Sequence, residues 1–468
     1  MRVVAVALLL VSGCAVGPDY RRPAVDLPAA YHHAPPEESA RSFADVSWWE
    51  VFGDPQMVVL IDEALRDNLD LGIAASQIVQ AEAQLAVARS PIFPQLAGQA
   101  QASRSNQNIT FTTANSFLAA LTLSWEIDLW GRYLRATEAA RADLLATEEA
   151  RSGVITSLVA SVAQQYLQLV ALRQRLEIIR RTVVAQRDSL RLVKELAKQG
   201  VQSAAEVSQA QSQLLTTENQ IPAIELQIAQ AEDALAILLG KTPRSFDTGS
   251  GLPPNAVPPL VPPGVPSELL ERRPDIRQAE QQLVAANANI GVAKARFFPT
   301  ISLTGTLGRA SDVLRGLVQS GGQNVRTAGV AVNLPIFSGG ALVGNYDIAR
   351  AQAEQAALAY RRSVLVALQE VSDALVAFDR NRAEAQGNRD RVAVNGEALR
   401  LAQLRFRSGV ISYLEILDAQ RQLLSSQLDL NTSESNQRLA AVQLYKALGG
   451  GWNAPKRSAP ITTNVGQR

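Results

Sequence analysis

The sequence predicts a mostly α-helical chain with a small β part, built by duplication: long antiparallel coiled-coil helices plus four strands. Three observations predict it. Alanine, glutamine, leucine and arginine dominate while aromatic residues make up only 5%, the composition of long helices more than of a compact mixed domain. A proline-free stretch from Arg132 to Lys198 carries apolar residues at spacings of three and four, the signature of a coiled-coil seam. The same order of features also occurs twice: "KQGVQSAAEVSQAQSQLL" from Lys198 is matched by "RSGVISYLEILDAQRQLL" from Arg407.

The elements follow in chain order. Residues 1–13 read as a signal peptide, with Arg2, a short apolar run and "VSGC", because the run is too short to span a bilayer. Cys14 is the only cysteine, which excludes an internal disulfide and a CxxC metal site. The "VSGC" ending resembles the lipobox of bacterial lipoproteins and implies an acylated Cys14, the alternative being an unmodified thiol. Ala15 after the cysteine resembles lipoproteins sorted to the outer membrane. Residues 14–55 read as extended.

The first repeat covers residues 56–240. A helix leads to Phe93-Pro94, and strands are expected over about 94–127, where Leu121, Leu123, Trp125 and Ile127 alternate with polar or small residues. The long helix after Arg132 has its seam at Val154, Leu158, Val162, Tyr166, Leu169, Leu172, Leu176, Ile179, Val183, Leu190, Val193 and Leu196. At 1.5 Å per residue it extends on the order of 100 Å. Residues 241–266 form a Pro/Gly-rich linker, and Ser267 is positioned to cap the next helix.

The second repeat, residues 267–449, repeats the plan. A helix reaches Phe298-Pro299, and strands are expected over about 299–337, with Val330, Val332 and Leu334 alternating. A second long helix then reaches Gly409. Residues 450–468 form a tail. Four strands with one apolar face cannot close a barrel alone, and open edges are excluded from lipid. No stretch after the signal peptide has about 18 uninterrupted apolar residues, so a membrane crossing would be made by a barrel of several copies. Three copies would supply twelve strands. Phe93, Trp125, Trp130, Phe297, Phe298 and Phe337 cluster at the strand–helix junctions, as an interfacial girdle or ordinary core packing would place them.

At each hairpin end a glycine, Gly200 or Gly409, closes one helix. Ser203 and Ser412 stand where they can cap the next, each followed three residues later by a glutamate, Glu206 or Glu415. That spacing predicts two capping boxes. Asp418, opposite the neutral Gln209, admits two roles: an i,i+3 ion pair with Arg421, or a member of an acidic ring around a pore.

The charge balance excludes a nucleic-acid partner, since the net charge is +1 and no basic stretch is dense. The only histidines, His32 and His33, lie in the extended stretch, so histidine triads and HExxH sites are absent. "LLGKTP" lacks the first glycine of a P-loop, with Leu235 in its place. The expectation is a non-enzyme without cofactor or metal. A lipid-anchored coiled-coil scaffold without a pore is the rival reading, weakened by the four amphipathic strands.

Taken in order, "CAVGPDYRRP", "WWEVFGDPQ", "LPPNAVPPLVPPGVPSELLERRPDI", "FFPTISLTG", "PIFSGG" and "RFRSGVISYLEILDAQRQLL" resemble the outer membrane factor family of TolC-like efflux channels, in its lipoprotein NodT/OprM-like branch. The resemblance covers nearly the whole mature chain. It implies a homotrimer with a 12-stranded outer-membrane barrel on a 12-helix periplasmic tunnel. It also implies a periplasmic adaptor and an inner-membrane pump, usually of the resistance-nodulation-division type, with small-molecule efflux favoured over type I protein secretion. It places a periplasmic constriction at Leu414 and Asp418, with Glu415 and Glu206 nearby, and six hairpin ends suited to adaptor docking. Gly200, Val201, Gly409 and Val410 are the candidate contacts. Phe406 and Ile411 stand where the TolC-type lock has a tyrosine and an arginine, which leaves closure to apolar packing and to Asp418, Arg405 or Arg407.

Overall fold

The computed structural model describes residues 15–33, 54–107, 112–248, 264–319 and 321–450. Cys14, the linker's 249–263 and the tail's 451–468 lie outside the described residues, as does most of "WWEVFGDPQ". The chain forms two compact units, one of Met1–Val25, Ala75–Ala150 and Asp275–Ser363, the other of Asp26–Ala74, Arg151–Pro274 and Val364–Arg468. Each takes corresponding pieces of both repeats, so a sequence repeat is not a spatial domain. The reason is elementary: one repeat supplies a two-stranded hairpin, which is marginal alone and gains stability from the other repeat's strands.

The first unit holds the sheet. Strands β1 (Gln95–Gln107), β2 (Thr112–Ile127), β3 (Thr300–Ser311) and β4 (Gln323–Asn333) lie in the order β1-β2-β3-β4. Every pairing is antiparallel, with Leu96 opposite Leu123, Leu121 opposite Leu307, Trp125 opposite Leu303, and Leu303 opposite Val330. Because side chains alternate, these registers gather the apolar residues of all four strands on one face. That face is uncovered: Leu96, Leu121, Leu123, Leu307, Val330 and Val332 are all exposed. β1 and β4 each have a single neighbour, leaving both edges unpaired within one chain.

Aromatic side chains fix the strand–helix junctions. Trp125 Nε1 donates to the Ile92 carbonyl at 3.0 Å and Trp130 Nε1 to that of Pro299 at 2.7 Å. Trp130 also stacks on Phe298 with ring centroids 4.6 Å apart. Helix α7 (Pro274–Ala295) receives the N-terminal segment, where Arg22 pairs with Glu280 at 2.6 Å and Tyr20 donates to the same carboxylate at 3.1 Å. Gly17 permits this approach: a Cβ there would sit 2.5 Å from the Gly291 Cα.

The second unit is helical. Helix α1 (Pro55–Asp67) starts at Asp54, whose carboxylate accepts from the Gln56 and Met57 amides at 2.8 and 3.4 Å. The other Asp54 oxygen accepts from the Tyr166 hydroxyl at 2.9 Å, and burial, reinforced by that bond, pushes the phenol above its ordinary range. Helix α2 (Leu69–Arg89) begins in this unit and ends in the other. Helices α3 (Arg132–Lys198) and α8 (Ala341–Arg407) are 67 residues each without interruption, and α9 spans Tyr413–Ala447. Gly153 does not break α3.

A core joins Leu176, Ile179, Val183, Leu190 and Val193 of α3 to Phe406 of α8 and to Tyr413, Ile416, Leu417 and Leu424 of α9. Fully burying such an aliphatic side chain contributes about 1.5–3 kcal/mol. Helix α3 also contains the one stretch among the described residues apolar enough by composition to cross a bilayer, but 56% of that stretch is buried within the chain. It belongs to the seam.

One helix divides, and one expected cap is not formed. The helix after Ser203 is divided into α4 (Ala204–Glu218) and α5 (Gln220–Leu238). Pro222 has no N–H to offer the Glu218 carbonyl, and the ladder lapses there. Ser267 does not cap a helix: it lies inside a 3₁₀ turn, Pro266–Glu268, that begins after Val265. The short α6 (Leu269–Arg272) follows, and α7 starts at Pro274. Pro274 holds Arg273 extended, at φ −82° and ψ 119°, which separates the two helices.

Candidate functional site: the two hairpin ends

Both ends are built on a left-handed glycine. Gly200 has φ 75° and Gly409 φ 71°, the conformation an L side chain resists and a helix C-terminus uses to turn away. The following amides fold back identically: Val201 N–H bonds the Leu196 carbonyl at 2.9 Å, and Val410 N–H that of Arg405 at 3.0 Å. Val201 and Val410 project at 64% and 65% exposure.

The first capping box is complete. The Glu206 amide donates to Ser203 Oγ at 3.3 Å and the Ser203 amide to Glu206 Oε2 at 2.9 Å. The second is not formed, a correction to the expectation from spacing. Ser412 has the extended backbone of a cap, φ −75° and ψ 161°, but its hydroxyl makes no capping bond. The Glu415 amide bonds the Ser412 carbonyl instead, at 3.3 Å, and the Glu415 carboxylate lies 3.9 Å from the Arg405 guanidinium. The first copy has the uncharged Leu196 at the Arg405 position, so no guanidinium there competes for Glu206, and the Gln202 amide lies against its carboxylate instead.

Asp418 is exposed and forms the ion pair with Arg421 at 3.1 Å, while Gln422 Nε2 donates to its other oxygen at 2.6 Å. Leu414, one turn earlier, is 50% exposed. These two side chains share an exposed flank of α9, opposite the buried Tyr413, Ile416 and Leu417. Phe406 packs edge-on against Tyr413, centroids 5.7 Å apart, with Ile411 partly buried on the same core. Phe406 and Ile411 thus act through apolar contact. Burial pushes the Tyr413 phenol up, partly offset by the Ser189 hydroxyl. Among the described residues no cluster of His, Cys, Asp or Glu is arranged to hold a metal.

Sequence reasoning missed Gln420 and Gln186. Both are buried within apolar stripes, Ile416–Gln420–Leu424 on α9 and Val183–Gln186–Leu190 on α3. The signal was available, since each is a polar residue at a core spacing.

A sheet with one continuous apolar face and two open edges, carried by uninterrupted 67-residue helices, defines the subunit of an outer-membrane channel. The chain belongs to the outer membrane efflux protein family, whose pattern matches residues 60–241 and 265–450. It is 37% identical over 459 residues to the solvent efflux pump outer membrane protein SrpC of Pseudomonas putida, covering 96% of this chain and 97% of that one. It is 34% identical over 457 residues to the outer membrane protein OprJ of Pseudomonas aeruginosa, covering 95% and 94%. Its fold matches the open-state MtrE outer membrane channel of Neisseria gonorrhoeae with a TM-score of 0.86 at 31% identity, over 94% of this chain and 99% of that one. The protein is an outer-membrane efflux channel, of a transport family and not an enzyme family.

Proposed function

We propose that three copies close a 12-stranded barrel and that the protein is the passive, gated exit duct of a tripartite pump. The supporting observation is the open-edged sheet: a strand edge in lipid must be paired, and four strands enclose no channel. A periplasmic adaptor engages the ends at Gly200–Val201 and Gly409–Val410, where apolar valines stand free. An inner-membrane transporter of the resistance-nodulation-division type supplies the energy, so the duct itself needs no cofactor. An acylated Cys14 anchors each copy. The cargo is small and largely apolar, the class for which SrpC is named.

The constriction falls at Leu414 and Asp418, repeated by symmetry, with Glu415 and Glu206 on its approach. Acidic rings concentrate cations. The test is planar-bilayer conductance of the purified protein beside Leu414→Ala/Asp418→Ala. A small wild-type conductance that rises several-fold in the double variant supports the assignment, whereas equal conductance moves the constriction elsewhere. If neither conducts although both insert, the channel reading fails.

A further inference from the structure

Polar residues in a coiled-coil seam cost stability and fix register. Gln186 of α3 and Gln420 of α9 occupy such positions, 3% and 6% exposed. Gln420 Nε2 donates to Ser189 Oγ at 3.1 Å. This stitch fastens the start of α9, which carries Leu414 and Asp418, to α3. It is only half satisfied: Gln420 Oε1 has no partner, and neither amide atom of Gln186 has one among the described residues. Both glutamines and Ser189 line one cavity of about 240 Å³.

An unpaired donor on Gln186 and an unpaired acceptor on Gln420, facing the same cavity, are complementary. Ser189 and Gln186 lie three residues apart on α3, a rise of about 4.5 Å and close to the one-turn steps by which packed elements change register. We propose that Gln420 exchanges between two seats on α3, Ser189 and Gln186, and that this exchange positions α9, and so Leu414 and Asp418, as the channel mouth changes width. The inference rests on the gated-channel reading above. In the present arrangement the Ser189 seat is occupied. In the other, Gln186 Nε2 donates to Gln420 Oε1, and the buried amide that is now unpaired becomes satisfied. Ser189, Gln420 and Gln186 are positioning residues.

The experiment is single-channel recording of the full chain in planar bilayers, with thermal melting to confirm folding. Ser189→Ala weakens the first seat and is expected to shift open probability about five- to tenfold, the size of one buried neutral hydrogen bond. Ser189→Thr keeps the hydroxyl and should stay within about twofold of wild type. Gln186→Leu removes the second seat and should shift open probability by a similar factor in the opposite direction. In a Gln420→Met background, Ser189→Ala should add nothing, because the bond is already gone; opposite shifts for the two single variants are what a purely structural role would not produce. Shifts of the same sign for Ser189→Ala and Gln186→Leu would overturn the proposal. So would an unchanged Ser189→Ala or an unchanged Gln186→Leu while Leu414→Ala/Asp418→Ala opens the channel, or a full Ser189→Ala shift in the Gln420→Met background. Silence of wild type and of Leu414→Ala/Asp418→Ala together would indict the channel reading itself.

Discussion

The two hairpin ends share a glycine, a serine and a glutamate at matched positions, yet one forms a capping box and the other does not. At the first end Ser203 and Glu206 satisfy each other's amides, and the return helix later lapses above Pro222. At the second, Arg405 draws Glu415 across the turn, while α9 continues unbroken for 35 residues. Opposite Pro222 stands Asn431, whose side-chain amide donates to the Ala171 carbonyl at 3.0 Å. The first end therefore adds its own local hydrogen bonds to the packing of Leu196, Val207 and Ala210 on the shared core. The second lacks that cap and is held by the Phe406–Tyr413 pair across its turn, by Ile416 and Leu417 on the same core and by the bond from Gln420 to Ser189. Duplication preserved the backbone turn, and the side chains then divided the labour. An end with a local cap added to its packing suits a fixed docking point, and an end that relies on packing alone suits a part that moves.

The largest expected effect breaks that tertiary hold. Phe406→Ala removes a buried ring from the second end, where such truncations cost about 3–5 kcal/mol. Hydrogen exchange should quicken most in residues 404–417 and less in 196–207, where Leu196 and Val207 pack on the same core but the capping box remains. If both ends loosen equally, the second is not separately held and the comparison fails.

Next in size is the cap. Ser203→Ala should destabilise the start of α4 by about 1 kcal/mol, read as faster exchange at the Ala205 and Glu206 amides. Ser412→Ala should change the start of α9 hardly at all, because that hydroxyl makes no capping bond. Equal losses at the two serines would mean that the second box closes in solution.

The pattern of sequence legible beforehand matches this division. The long helices were legible because a seam sustained from Val154 to Leu196, in a stretch without proline, fits no other structure. The strands were legible from the alternation at Leu121–Ile127 and Val330–Leu334, and the turn from Gly200 and Gly409, whose positive φ is a local requirement. The first box was also local. What escaped was contextual: Ser412 and Glu415 have the right spacing, but the competitor Arg405 belongs to the preceding helix. The register that sets Leu121 against Leu307 escaped too, because it joins residues far apart in the chain. Gln186 and Gln420 betrayed themselves only as polar residues in apolar stripes, and that alone does not say that they line one cavity.

The smallest effect is the most informative about why the ends diverged. If Arg405 alone keeps Glu415 out of its box, Arg405→Leu should give the second end the character of the first, since leucine is the residue at the matching position 196. Freed of the guanidinium, Glu415 would return to the Ser412 amide and the serine hydroxyl would accept from Glu415 N–H. The net change in stability should be only a few tenths of a kcal/mol, because an exposed ion pair of this length contributes little and the cap replaces it. The sign of the secondary effect is firm: Ser412→Ala, silent in the parent, should cost about 1 kcal/mol once Arg405 is leucine. The reciprocal Leu196→Arg should blunt the cost of Ser203→Ala at the first end. Exchange measurements on the two double variants check both, and additivity at each end would show that some feature other than this arginine separates them.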